Sequence, residues 1–223
     1  MDQAESPSSG QGRLAIVVTA LVTAVVVGLA AYGFGRLSVP GNTSPASVSA
    51  EAGFARDMQV HHIQGVEMAM VIRERTGDTD VRRLAYDIAT TQSHQAGQLY
   101  GWLAEWGLNQ LGSEPPMTWM MESATSGDEG ATRGMAMNAL MPGMATSAQM
   151  DKLSEASGVD AERLFLTLMI VHHQGALDMA VAVLARSNHQ GVRTFANAVL
   201  ASQQVEIDLM NQMLTERPPL DVP

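Results

Sequence analysis

Two pairs of adjacent histidines carry most of the chemistry this chain can do: His61-His62 in "MQVHHIQGVEMA" and His172-His173 in "MIVHHQGALDMA". The chain holds six histidines, so these pairs use four of them, and methionines flank both pairs. Neutral imidazole is a ligand for Zn, Cu, Fe and Ni, and thioether sulfur favours soft Cu(I). With no cysteine in 223 residues, thiolate sites are excluded. The candidate ligands are therefore His61, His62, His172 and His173, with Met58, Met68, Met169 and Met179 as soft donors.

Spacing decides which of these residues face inward. Phe54, Met58, His61, Gly65, Met68 and Ile72 recur every three or four residues, as do Phe165, Met169, His172, Ala176, Met179 and Val183. Each set lies on one helix face, so His61 and His172 are expected in a core. Their neighbours, His62 and His173, are rotated by about 100° and are expected at the edge of that stripe. Two further stripes carry a polar intruder at mid-length: Glu206 among Phe195, Val199, Ser202, Met210 and Met213, and Gln95 among Leu84, Ile88, Thr91, Leu99 and Trp102. A buried carboxylate needs a partner, and a histidine or a shared metal would supply one.

Other metal chemistries fit less well. A di-iron bundle uses Glu-x-x-His pairs, and no Glu or Asp here stands three residues before a histidine. Glu67 and Asp178 fall about 120° from the first histidine of each pair, towards the flank. The His-Glu-x-x-His helix of zinc hydrolases is also missing. An iron or manganese metalloenzyme remains the alternative to copper. A helical interaction module without metal, its histidines bonded to one another and to Glu206, is the third reading. No catalytic residues are assigned.

A constant offset of 111 residues relates Phe54, Met58, His61 and His62 to Phe165, Met169, His172 and His173. The same register continues through Val81, Ala85, Gln92 and Leu103 to Val192, Ala196, Gln203 and Leu214. Each repeat reads as a helical hairpin. In the first, Ser49 caps a helix ended by Gly77, and Asp78 caps another that stops near Gly107. In the second, Asp160 opens a helix to about Ser187, and Gln190–Glu216 forms the last. Two hairpins with short links give an all-α four-helix bundle.

The boundaries expected are a tail over 1–13, an apolar segment over 14–36 and a tether over 37–49. Then come repeat 1 over 50–107, a connection over 108–158, repeat 2 over 159–217 and a tail over 218–223. The connection holds eight of the 16 methionines between Met117 and Met150, too many for slack. Met141 and Met144 are candidate ligands there, or part of a lid over the bundle. Thr146 and Gln149 form a capping box before a short helix expected to end at Gly158.

Leu14–Phe34 is uncharged and 21 residues long, enough to cross a bilayer core as a helix. It reads as a membrane anchor, with a cleaved signal peptide as the alternative. Either reading exports the remainder to the cell envelope or beyond. The formal net charge of -10, from 13 basic and 23 acidic residues, argues against nucleic acid as a partner.

At "MQVHHIQGVEMA", "MPGMAT" (141–146) and "LFLTLMIVHHQGALDMA" (164–180) the chain resembles a bacterial secreted family, domain of unknown function 305, in the ferritin-like superfamily. The likeness covers about residues 50–216. It implies a ferritin-like four-helix bundle of two hairpins, exported from the cytoplasm, with copper binding and copper tolerance associated with some relatives. The chain departs from exact repetition in carrying Gln95 opposite Glu206, and "HHIQG" opposite "HHQG". Together these observations predict an extracytoplasmic, membrane-tethered copper-binding protein whose binding weakens as histidines protonate near pH 6.

Overall fold

The computed structural model describes residues 23–29, 31, 32, 44–121 and 141–217. Residues up to Thr43 form a unit separate from Ser44–Pro223. In that first unit 23–29, 31 and 32 are helical, with Val25, Val26, Val27, Leu29 and Tyr32 exposed. The rest of the expected anchor, most of the tether and both tails lie outside the described residues.

In the second unit every described regular element is helical: α1 (Ala50–Arg75), α2 (Thr79–Glu105), α3 (Thr118–Met121), α4 (Ser147–Glu155), α5 (Gly158–Arg186) and α6 (Gln190–Thr215). The chain is a four-helix bundle of two hairpins: α1 packs on α2, α5 on α6, and the hairpins meet along α1 and α5. Helix α5 is long and apolar enough to cross a membrane, but most of its apolar stretch is buried inside the bundle. It is the core helix of a globular domain.

The caps follow local chemistry. The Ser49 side chain accepts from Ala52 N, and Asp78 accepts from Asp80 N and Val81 N, each satisfying amides that a helix start leaves bare. Thr146 and Gln149 close the expected capping box, and Gly107 ends the α2 region at φ 69°. Two boundaries differ from expectation. Helix α1 stops at Arg75 because Thr76, not Gly77, takes the C-cap, and its Oγ1 accepts from Asp78 N. Gly158 begins α5 instead of ending α4, so that helix opens two residues before Asp160. Helix α6 begins at the expected Gln190, capped by His189, whose Nδ1 accepts from Val192 N. The single turn α3 was not expected. Asp57 holds it, its Oδ2 accepting from Met117 N at 2.7 Å and from Trp119 Nε1 at 2.8 Å.

Two apolar clusters fill the bundle. One joins Met68, Ile72, Leu84, Ile88, Phe165, Met169, Ile207 and Met210. The other joins Phe54, Met58, Leu99, Leu103, Met179, Val183, Phe195 and Val199. On all four long helices the buried residues between these clusters are polar or small, and there the paired histidines lie.

Candidate metal centre

The middle layer is built from matched positions of the two repeats. His61, His62, His172 and His173 are all fully buried. The burial of His62 and His173 corrects the expectation that they stand at an edge. The side of the stripe that looks open on α1 or α5 alone is covered by the second helix of the same hairpin. Gln95 of α2 lies beside His62, short of hydrogen-bond geometry. Glu206 of α6 accepts from His173 Nε2 at 2.6 Å.

The rings of His61 and His172 stack with centroids 3.8 Å apart and planes 28° apart. Each ring is oriented by a bond from its far nitrogen. His61 Nε2 donates to the Pro142 carbonyl, and His172 Nε2 donates to the His61 carbonyl, both at 2.9 Å. A carbonyl only accepts, so Nε2 carries the proton in each ring and Nδ1 keeps a bare lone pair. The His173–Glu206 bond fixes the same tautomer in a third ring. The Nδ1 atoms of His61, His172 and His173, and both nitrogens of His62, are buried without a hydrogen-bond partner.

Burial keeps the rings of His61, His62 and His172 uncharged. Desolvation pushes His61 down to about 4, against the pull of its Pro142 bond, and neighbouring His173 lowers it further. His62 and His172 are held well below the usual imidazole range, first by desolvation and then by the nearby histidines. Neutral rings with free lone pairs are the form that binds metal. The donor set therefore fits a metal in chemistry. Among the described residues, however, no three His, Asp or Glu side chains surround one point. What the layer offers is neighbouring imidazole lone pairs, not a closed cage of harder ligands.

The methionines divide as the core divides. Met58 and Met179 pack in one apolar cluster, Met68 and Met169 in the other, and all four are fully buried. The histidine layer thus has a thioether pair on either side of it along the bundle.

The segment 141–146 straps the outer face of α1 and α5. Gln64 grips Ala145 twice, its Nε2 donating to the Ala145 carbonyl at 2.8 Å and its Oε1 accepting from Ala145 N at 2.7 Å. Gly143 turns at φ 80° with its Cα against the backbone of Val171 and His172, and Gly175 leaves room for the Pro142 carbonyl. A Cβ at either glycine would meet backbone. The one-residue difference between "HHIQG" and "HHQG" follows from this strap: Gln64 grips it, while Gly175, at the matched position, makes room for it. Met141 is half-buried against the second cluster, and Met144 is also half-buried. The other methionines between 122 and 140 lie outside the described residues.

Three glutamines escaped the reading of the sequence as site residues. Gln64 positions the strap. Gln92 and Gln203 are almost fully buried, and neither end of either amide has a partner. The stripe through Gln95 and Glu206 pointed one turn aside: those two are half-buried, and the buried polar positions are Gln92 and Gln203. Their signal was present in the 111-residue register, which matches Gln92 to Gln203. Gly65 gives Gln92 space, since a Cβ there would collide with Gln92 Oε1 and approach His172 Cε1 to 2.9 Å.

Among curated proteins, none matches this sequence. Solved structures do. A DUF305 protein of Streptomyces coelicolor, inferred to be secreted, is 46% identical with a TM-score of 0.68, over 77% of this chain and 96% of that one. A DUF305 fragment from Deinococcus radiodurans is 32% identical, TM-score 0.58, over 75% and 96%. CopM, solved with Cu(I), shares the fold at 20% identity, TM-score 0.53, over 75% and 96%. It is also solved with Cu(II), with silver and without metal. Residues 51–214 match the family described as domain of unknown function DUF305, and the chain belongs to that family.

Proposed function

We propose that this protein binds copper outside the cytoplasm, tethered to the membrane by its N-terminal segment, and sequesters the ion or passes it on. The observation that carries this reading is the set of unpartnered imidazole nitrogens at His61, His62, His172 and His173, each fully buried. An unpaired buried polar atom costs about 1–3 kcal/mol, so a layer of them favours something that binds there. Soft thioethers at Met58, Met68, Met169 and Met179 suit Cu(I), and Met141 and Met144 lie in the strap above. The copper- and silver-bound forms of CopM support a metal-handling role for the shared fold.

The iron or manganese alternative has less support, because Glu206 is the only carboxylate bonded to the paired histidines among the described residues. The test is copper titration of the full chain in detergent micelles beside a variant with all four paired histidines changed to Ala. A second variant, His62→Gln with His173→Gln, guards against loss of fold. The reading predicts tight copper binding in the parent and at least tenfold weaker binding in both variants. Equal binding in a folded variant would refute it.

A further inference from the structure

Among the described residues, the histidine layer is bonded to a single carboxylate. Its imidazoles, the amides of Gln92, Gln95 and Gln203, and the flanking thioethers are neutral donors. Glu206 is the one anionic group bonded to it among the described residues, 2.6 Å from His173 Nε2 and only 21% exposed. The other nearby carboxylates are turned away or committed elsewhere. Asp57, one turn before His61, accepts from Met117 N and Trp119 Nε1. Glu67 and Asp178 are exposed on the outer faces of α1 and α5. At the position matched to Glu206 the first repeat carries Gln95, of the same length but uncharged.

Moving a cation from water into a buried layer forfeits its hydration, and neutral ligands leave its charge uncompensated. A carboxylate hydrogen-bonded to the far nitrogen of a ligating imidazole both orients the ring and balances the charge. Glu206 stands in that relation to the bare Nδ1 of His173. We propose that Glu206 and Gln95 set the valence and number of the ions held: one monovalent soft cation of the Cu(I) or Ag(I) class per chain. Gln95 withholds the second charge that a divalent ion, or a second monovalent ion, needs. This rests on the metal-binding reading above and deepens it to a specificity determinant.

The test uses the full chain in micelles with ¹⁵N-labelled histidine, titrated with Ag(I), Cu(I) and Zn(II) in competition with a calibrated chelator. The imidazole signals report the layer, separately from any ion held by the connection. The parent is expected to shift its imidazole signals with one equivalent of Ag(I) or Cu(I). Glu206→Gln should weaken that binding at least tenfold while keeping its helical circular dichroism. Gln95→Glu should bind Zn(II) at least tenfold more tightly than the parent, or take a second Ag(I). The double variant, with the charge moved to the first repeat, should recover one equivalent of Ag(I) and shift His62 most. Silver affinity within twofold of the parent in Glu206→Gln, or unchanged zinc and silver binding in Gln95→Glu, overturns the proposal while leaving the metal-binding reading intact. Imidazole signals in the parent that respond to none of the three ions overturn both.

Discussion

His172 donates to the backbone carbonyl of His61 while its ring stacks on the His61 ring at 3.8 Å. Two residues 111 positions apart thus share one contact at the point where the hairpins cross. Two protonated rings could not sit there, since like charges at that distance in a low-dielectric interior repel strongly. The metal-free protein should therefore lose stability in acid. Unfolded, His61 titrates near 6.5; folded, near 4. Between these values the unfolded chain binds a proton that the folded chain refuses, so stability rises with pH. The contribution is complete above about 6.5 and is lost as pH falls towards 4. For His61 alone it is roughly 3 kcal/mol, and His62 and His172 act in the same direction. Urea denaturation of the metal-free chain between pH 7.5 and 4 measures it; a midpoint that does not move would contradict the neutral layer. If the proposed copper binding holds, the same shifts at His61, His62 and His172 place acid release of the metal well below the pH near 6 expected from ordinary histidines.

The strap makes a second prediction through glycine. A Cβ at Gly175 would collide with the Pro142 carbonyl, which also accepts from His61. Gly175→Ala should cost about 1–3 kcal/mol by overpacking and loosen the strap. Gly97, in α2 with nothing within 4 Å, is the control: Gly97→Ala should raise stability by about 0.5–1 kcal/mol. Thermal melts give the two signs, and limited proteolysis at 141–146 reports the strap. Equal shifts in both variants would mean that Gly175 has no such role.

Buried amides give the third. Gln92 and Gln203 expose almost nothing and bond to nothing among the described residues. Replacing an unsatisfied polar group by an apolar one of similar size relieves its desolvation cost. Gln92→Leu and Gln203→Leu should each stabilise the metal-free protein by about 1 kcal/mol, read from urea midpoints. A loss of that size instead would show that the amides are bonded in solution.

These glutamines also mark how far the sequence could be read. The four long helices, their hairpin pairing and the inward face of His61 and His172 followed from periodicity and the 111-residue register, because a helix exposes its buried face as spacing. The depth of His62 and His173 did not follow. Their burial depends on how α2 and α6 lean against α1 and α5, which is a property of two helices and not of one. The pull of the strap on Gln64 was illegible for a similar reason: "MPGMAT" is distant in sequence, and only the fold lays it on α1. The α1 and α5 boundaries were misplaced by one or two residues because Thr76 outcompeted Gly77 for the cap and Gly158 adopted φ 57° as the first residue of α5.

The fourth prediction concerns the bundle's far end, where no part of the sequence reading placed a bond. Arg217, two residues beyond α6, donates from Nε to Glu162 Oε2 and from Nη2 to Asp78 Oδ2, both at 2.9 Å. Its Nη1 donates to the Met213 carbonyl at 2.7 Å. Glu162 accepts in turn from Thr76 Oγ1 at 2.6 Å. One guanidinium therefore ties the end of α6 to the start of α5 and to the α1–α2 turn, across both hairpins. Arg217 and Glu162 are nearly buried, so removing one partner strands the other charge. Arg217→Met should cost roughly 3 kcal/mol, and adding Glu162→Gln should recover part of it by removing the stranded carboxylate. A double-mutant cycle in urea measures the coupling. Independent, additive effects would show that the clasp does not hold the hairpins together.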